Sequence, residues 1–227
     1  MSPVILHIET TTKNCSVGIS RAGKLLALKE LNDDRYSHAE NIHPFIDLVL
    51  EETSLTYSDL SAVSVSQGPG SYTGLRIGVS VAKGLCFALD IPLIAVATLE
   101  ILARSLTIDQ GLIIPMLDAR RMEVYQAVYS PDYQLLQETK AQIVASDTYD
   151  EYLSKGAVYF VGDAVPKCQT IISHKNAFFI ENQFPSAKQM PALSYQKFLA
   201  SDFVDVAYFE PYYLKDFIAV KSTKKYF

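Results

Sequence analysis

Tryptophan is missing from this chain of 227 residues, and cysteine, histidine and glycine are scarce: three, four and ten copies. Cys15, Cys86 and Cys168 are odd in number and none lies in a C-x-x-C pair, which excludes a disulfide framework and fits a reducing compartment. No signal peptide is legible after Met1-Ser2-Pro3, so the expected location is the cytoplasm. Cys15 falls in a strand pattern and Cys86 in a helical one, so both are expected as buried packing residues. No apolar run approaches the roughly 18 residues that cross a membrane. Positive charge is also short: 20 Lys and Arg stand against 25 Asp and Glu, for a net charge of −5. A chain that grips nucleic acid alone needs clustered cations, and the balance argues against one. The one basic cluster, Lys221-Ser222-Thr223-Lys224-Lys225, reads as a solvated, frayed end. The histidines form no cluster. His38 and His43 are five apart, which turns the second imidazole roughly 140° away on a helix of 3.6 residues per turn, so no metal site is expected.

Hydrophobic residues make up 49% and charged residues 20%. That composition implies a packed globular protein, and the length allows one large domain or two lobes. Val4 to Ile8 is a continuous apolar run and reads as a buried strand. Cys15, Val17 and Ile19 alternate with small polar residues as a second strand, and Leu25 to Leu31 follows after a hairpin turn. A helix is expected over about His38 to Thr53, with Ser37 and Glu40 as its capping box. Its apolar face is Ile42, Phe45, Ile46 and Val49. Pro44 is compatible with that helix only if it starts near Ile42 or His43. Ala62 to Val65 and Leu93 to Val96 read as strands, and Thr98 as the cap of a short helix ending near Leu106.

The second half repeats this order. Leu112 to Leu117, Met122 to Tyr129 and Leu135 to Val144 read as strands, followed by a helix from Ser146 or Asp147 to about Ser154. Then come a strand, Val158 to Val161, a helix near Pro166 to Ile172, and a last helix within Ala187 to Ser201, offset near Pro191. Each half runs strand-strand-strand-helix-strand-helix. The expectation is therefore a duplicated α/β lobe, divided as 1–106 and 107–227.

One stretch organises the chain: Ser64 to Leu89, a strand that runs through Gln67-Gly68-Pro69-Gly70 into a long helix. Gly68 and Gly70 permit positive φ, and Ser71 or Thr73 can cap the helix. Gly74, Gly78 and Ala82 recur every four residues on one face. Glycine inside a helix costs roughly 1 kcal/mol against alanine, so Gly74, Gly78 and Gly84 need a reason. Three readings stand: a phosphate cradle, a tight turn feeding a close-packed helix, and a protein–protein surface. The cradle is one residue off the dinucleotide fingerprint and lacks the Gly-Lys-Ser/Thr of a P-loop.

Ile5-Leu6-His7-Ile8-Glu9-Thr10-Thr11-Thr12, Cys15-Ser16-Val17, Gln67-Gly68-Pro69-Gly70-Ser71-Tyr72-Thr73-Gly74-Leu75-Arg76-Ile77-Gly78 and Asp118-Ala119-Arg120-Arg121 together resemble the TsaB (YeaZ) family. These are bacterial tRNA threonylcarbamoyladenosine biosynthesis proteins. The resemblance covers nearly the whole chain. It implies the actin-like, Hsp70-like ATPase fold, with two duplicated lobes of mixed five-stranded sheets flanked by helices. It implies a non-catalytic scaffold subunit in forming N6-threonylcarbamoyladenosine beside the anticodon of tRNAs that read codons starting with A. Its partners would be a TsaD-type catalytic paralogue, which holds metal and transfers the threonylcarbamoyl group, and a TsaE-type ATPase. The tRNA would be reached only through the complex, no cofactor, metal or catalytic residue would belong to this chain, and the isolated protein could pair with itself.

The resemblance also implies degenerate phosphate turns at Glu9, Thr10, Thr11 and Thr12 and at Asp118. The family carries Asp where this chain has Glu9. Arg120 and Arg121 are bulky for a phosphate turn and are expected in an inter-lobe or surface ion pair. The family pairs its related subunits through first-lobe helices, which makes Ile42, Leu48, Gly74, Gly78 and Ala82 the candidate interface. The rival from another class is a self-sufficient ATP-dependent kinase or acyltransferase of the same fold, since one fold hosts many activities.

Overall fold

The opening alternation becomes an antiparallel meander. β1 (Val4–Glu9) pairs with β2 (Asn14–Arg21), and β2 with β3 (Lys24–Asn32). β4 (Ala62–Gly68) adds parallel to β1, and β5 (Leu93–Ala97) parallel to β4. The first sheet thus has the order β3-β2-β1-β4-β5. The computed structural model describes residues 2–33 and 37–215, so the basic cluster at 221–225 lies outside the described residues.

β1 is buried throughout, because both faces of its sheet are covered. Leu6, Ile8, Val63 and Val65 meet α1 (His38–Glu52) and α2 (Tyr72–Leu89) through Ile42, Ile46, Val49, Val79, Ala82 and Cys86. Ile5, Ala62, Ile94 and Val96 point the other way and meet Met190 and Leu193 of α6 (Met190–Leu199).

The second sheet is built from β6 (Leu112–Asp118), β7 (Glu123–Tyr129), β8 (Leu135–Ile143), β9 (Val158–Val161) and β10 (Ala177–Ile180). Its order, β10-β9-β6-β7-β8, repeats the first. α4 (Asp150–Leu153) and α5 (Val165–Cys168) cover one face, with Leu153, Val165 and Cys168 against Ile114, Met116 and Phe160. The other face receives Leu99, Leu102 and Ala103 of α3 (Thr98–Ala103). α3 thus lies between the sheets, with Leu99, Leu102 and Ala103 on the second and Ile101 on the first, whereas α6 packs on the first. The division at 106/107 separates the sheets, while α6 packs across it.

Four local readings are corrected. α1 starts at His38 and carries Pro44 inside it. The proline removes one helical hydrogen bond at about 3 kcal/mol, but Ile42, Ile46, Val49 and Leu50 are all buried, and each such side chain contributes roughly 1.5–3 kcal/mol. The capping box at Ser37 does not form; Asn41 Nδ2 donates to the Ser37 hydroxyl at 2.8 Å instead. Thr98 opens α3 rather than capping it, and its hydroxyl lies 3.1 Å from Ser66 Oγ and accepts from Gly68 N at 3.1 Å. β10 had no counterpart in the sequence reading, because four residues between polar loops carry too short a pattern.

Candidate functional site

The junction of β1, β4 and α2 is the most constrained place in the chain. β4 ends at Gly68, which has a φ of 111°, and the Gly68–Pro69 peptide is cis. Gly70 is needed for closeness rather than for positive φ: a Cβ there would stand 2.6 Å from the Thr11 carbonyl oxygen. Ser71 is the N-cap of α2, and its hydroxyl accepts from Gly74 N at 3.2 Å.

The turn after β1 lies against this helix start. Ser71 N donates to Thr11 O at 2.7 Å, and Thr10 Oγ1 donates to Gly74 O at 2.7 Å. A Cβ on Gly74 would stand 2.0 Å from Thr10 O, and one on Gly78 would stand 2.3 Å from Thr10 Oγ1. The small-residue face is thus covered by the chain's own first turn. Gly74, Gly78 and Ala82 are buried, as is Ile42, and none of the four is available at the surface. The reason is register: the same i, i+4 spacing that would suit a partner helix fits Thr10. Leu48 alone of the candidate interface stands outside, 43% exposed. It shares the surface with an outer stripe on α2, Arg76, Ser80, Gly84 and Phe87. Phe87 is 85% exposed, and a Cβ on Gly84 would meet nothing within 4 Å.

Glu9 is fully buried. Its Oε1 accepts from Thr11 N and Thr11 Oγ1, both at 2.5 Å. Burial pushes this carboxyl above the usual range, while hydrogen bonding by Ser66 and Thr11 opposes the rise. The other oxygen, Oε2, is buried without a hydrogen-bond partner.

In the second repeat, Asp118 ends β6 and opens a turn in which Arg120 and Arg121 take left-handed φ values of 70° and 50°. Such backbone costs roughly 1–2 kcal/mol per residue. Arg120 N donates to Asp118 Oδ1 at 2.8 Å, and Asp118 N donates to Asp163 Oδ1 at 2.9 Å. Among the described residues neither Arg120 nor Arg121 forms the ion pair expected of them, and the cation at this turn is a lysine. Lys167 of α5 donates to the Asp118 carboxylate, to Arg121 O at 2.8 Å and to Glu123 O at 2.7 Å. Burial pushes the Asp163 carboxyl up to about 6, against the pull of the Asp118 N–H.

Two more residues escaped the sequence reading. His7 is buried, with Nε2 2.7 Å from Ser20 Oγ and Nδ1 3.3 Å from Ser194 Oγ. Ser194, on α6, also donates to Ser64 at 2.7 Å, so this network fastens α6 to the sheet. Burial lowers the His7 imidazole to about 3, and it is neutral at pH 7. His38 is buried at the start of α1 rather than at the surface, and His43 is exposed. Among the described residues, no three His, Cys, Asp or Glu side chains are grouped to hold a metal ion. No described helix is long and apolar enough to cross a membrane.

These groups suit a closed pair of turns in which, among the described residues, only Glu9 Oε2 is left buried without a hydrogen-bond partner. The N–H groups of Ser71 and Gly74 are already bonded, and an ammonium sits on Asp118. They do not fit a nucleotide phosphate, which asks for unengaged N–H groups at a helix start.

The sequence profile of the TsaD family, tRNA N6-adenosine threonylcarbamoyltransferase, matches residues 33–219. The TsaB protein of Bacillus subtilis (strain 168) is 37% identical over 134 residues, 59% of this chain and 58% of that one. That of Escherichia coli (strain K12) is 28% identical over 230 residues, 96% of this chain and 97% of that one. Both carry the name tRNA threonylcarbamoyladenosine biosynthesis protein. The solved structure of YeaZ from Pseudomonas aeruginosa superposes with a TM-score of 0.80 at 25% identity, covering 93% of this chain and all of that one. The two duplicated lobes are those of the actin-like fold, and the chain belongs to the TsaB (YeaZ) family of tRNA threonylcarbamoyladenosine biosynthesis proteins.

Proposed function

We propose that this chain is the non-catalytic scaffold subunit of a cytoplasmic complex that forms N6-threonylcarbamoyladenosine on tRNA. Its lobe 1–106 pairs with a TsaD-type catalytic paralogue, and a TsaE-type ATPase joins the pair. Gly84 carries the reading. Gly74 and Gly78 have a reason inside the chain, since Thr10 fills their face; Gly84 has none there. It lies on the exposed stripe of α2 between Ser80 and Phe87, where a glycine costs about 1 kcal/mol of helix stability. Close approach of a helix from another subunit accounts for it, and Phe87, three residues on, supplies apolar area beside it. The interface therefore shifts from the buried small-residue face to the outer stripe. The self-neutralised turns at Glu9 and Asp118 support a subunit without chemistry of its own.

The test is co-elution of purified TsaD-type partner with Gly84→Leu and Phe87→Asp variants, together with thermal melting of each free variant. A large side chain at a close helix contact costs roughly 1–3 kcal/mol, so pairing should weaken about five- to 150-fold, while free Phe87→Asp melts close to the wild type and free Gly84→Leu slightly above it through its gain in helix propensity. Unchanged pairing in both variants would overturn the reading.

A further inference from the structure

Beyond α6 the chain runs back over the first sheet. Val204 bridges Leu93 of β5 at the sheet edge. Lys83 of α2 donates to the carbonyls of Ala207 and Phe209 at 3.1 and 3.0 Å, and Tyr212 N donates to Gln67 O at 2.7 Å. Between this segment and the end of β4 lies an open cavity of about 460 Å³, lined by Gln67, Phe209, Glu210, Pro211, Tyr212 and Tyr213. That size suits a small planar group.

The lining specifies what kind of group. The Tyr212 and Tyr213 rings and a proline ring offer flat apolar surface, while Phe209 also packs against the core of the first sheet. The Tyr213 ring is held from behind by Tyr72 at 5.0 Å, and the Arg76 guanidinium stands 4.2 Å from the Tyr72 ring. Gln67 is half-buried, and among the described residues its side-chain amide makes no hydrogen bond, which leaves one donor group and one acceptor for a ligand. Glu210 is exposed at the rim and, when ionised, accepts only. A carboxylate in the lining repels phosphate and accepts from N–H groups, so the part of the ligand that enters is not anionic and brings an amino group.

We infer that this pocket takes a single unpaired nucleobase with an exocyclic amino group, adenine in the first place, from a single-stranded segment of RNA. Aromatic rings stack on a base whatever its sequence. A glutamine amide matches the donor–acceptor edge of adenine, and a carboxylate accepts from an exocyclic amino group. The inference rests on the RNA-modifying role proposed above, and it places one RNA contact on this acidic subunit itself.

The full chain is titrated by fluorescence anisotropy with labelled hexa-adenylate, hexa-uridylate and an RNA duplex, with AMP as competitor. Hexa-adenylate should bind at least fivefold tighter than hexa-uridylate, and more tightly than the duplex or AMP. Tyr212→Ala and Gln67→Leu should each weaken it roughly tenfold without shifting the melting temperature. Glu210→Arg should bring the adenylate-to-uridylate ratio to about one, even as it attracts phosphate. Equal binding of the two hexamers, or wild-type binding by the variants, would overturn the inference, and AMP binding as tight as the hexamer would overturn its assignment to a strand. Pairing with the TsaD-type partner uses none of these side chains. Lost pairing with intact hexa-adenylate binding therefore defeats only the earlier proposal, and the reverse result defeats only this one.

Discussion

One substitution, glycine to alanine, should have opposite signs at two places in α2. At Gly84 the added methyl meets open space, so only helix propensity changes. The gain is about 1 kcal/mol, which for a chain of this size raises the melting temperature by roughly 2–4 °C. At Gly74 the methyl would stand 2.0 Å from the Thr10 carbonyl oxygen. That oxygen is backbone and cannot rotate away, so the turn Thr10–Thr12 must move. The hydrogen bonds from Thr10 Oγ1 to Gly74 O and from Ser71 N to Thr11 O are strained with it. Overpacking costs about 1–3 kcal/mol and each lost bond about 1 kcal/mol, while helix propensity returns at most about 1 kcal/mol. The net loss is about 3 kcal/mol, or roughly 6–12 °C. Calorimetric melting, with urea unfolding at matched m-values, measures both variants. A loss of stability at Gly84, or a gain at Gly74, would refute the reasoning.

Two titrations give further checks. His7 is held near 3 against an unfolded value of 6.5, so the unfolded chain takes the proton first. Its contribution is complete above pH 6.5 and falls by about 1.4 kcal/mol per pH unit below it. Between pH 6.5 and 4.5 a His7→Gln variant should lose about 2 kcal/mol less than the wild type, and parallel urea profiles would count against this. Glu9 is displaced the other way: its folded form holds the proton longer, so its contribution is present below the unfolded value and lost as pH rises through the folded one. Glu9→Gln should therefore be at least as stable as the wild type at pH 8 and closer to it at pH 4.5, and a variant less stable at pH 8 would contradict the assignment.

The strands were legible because burial on both faces demands apolar residues at both parities. Val4 to Ile8 meets that demand with only His7 interrupting, and His7 is the one position where the structure supplies buried partners. The glycine spacing in α2 was legible as a demand for close approach. What approaches was not, since Thr10 lies some sixty residues away and the same face could serve a partner helix. Gly84 was in plain sight, but its meaning depends on knowing that its two neighbours in the series are already accounted for. Lys167 and Ser194 could not have been found, because their partners Asp118 and His7 are distant in sequence and no local pattern marks either pair. The placing of α3 between both sheets and of α6 on the first is likewise a long-range choice that no local pattern marks.

The turns after β1 and β6 bear most directly on function. For magnesium and a phosphate to enter the second turn, Lys167 must give up the Asp118 carboxylate and two carbonyls. For a phosphate to reach the start of α2, Ser71 N must release Thr11 O. Hydrogen bonds from a charged group are worth about 1.5–3 kcal/mol and a neutral one about 1 kcal/mol, while the ion pair with the half-exposed Asp118 carboxylate adds at most about 1 kcal/mol. Even the low end of that sum is about 4–5 kcal/mol, which lowers affinity by more than roughly a thousandfold. A nucleotide site of ordinary micromolar strength would be left in the millimolar range. Calorimetry with ATP and magnesium on the isolated chain should therefore show a Kd weaker than about 1 mM and no turnover. Lys167→Ala alone should not restore binding, because the first turn stays filled by Thr11. Micromolar binding with hydrolysis by the wild type would mean that these bonds open readily, and the chain would then be an ATP-dependent enzyme rather than a scaffold.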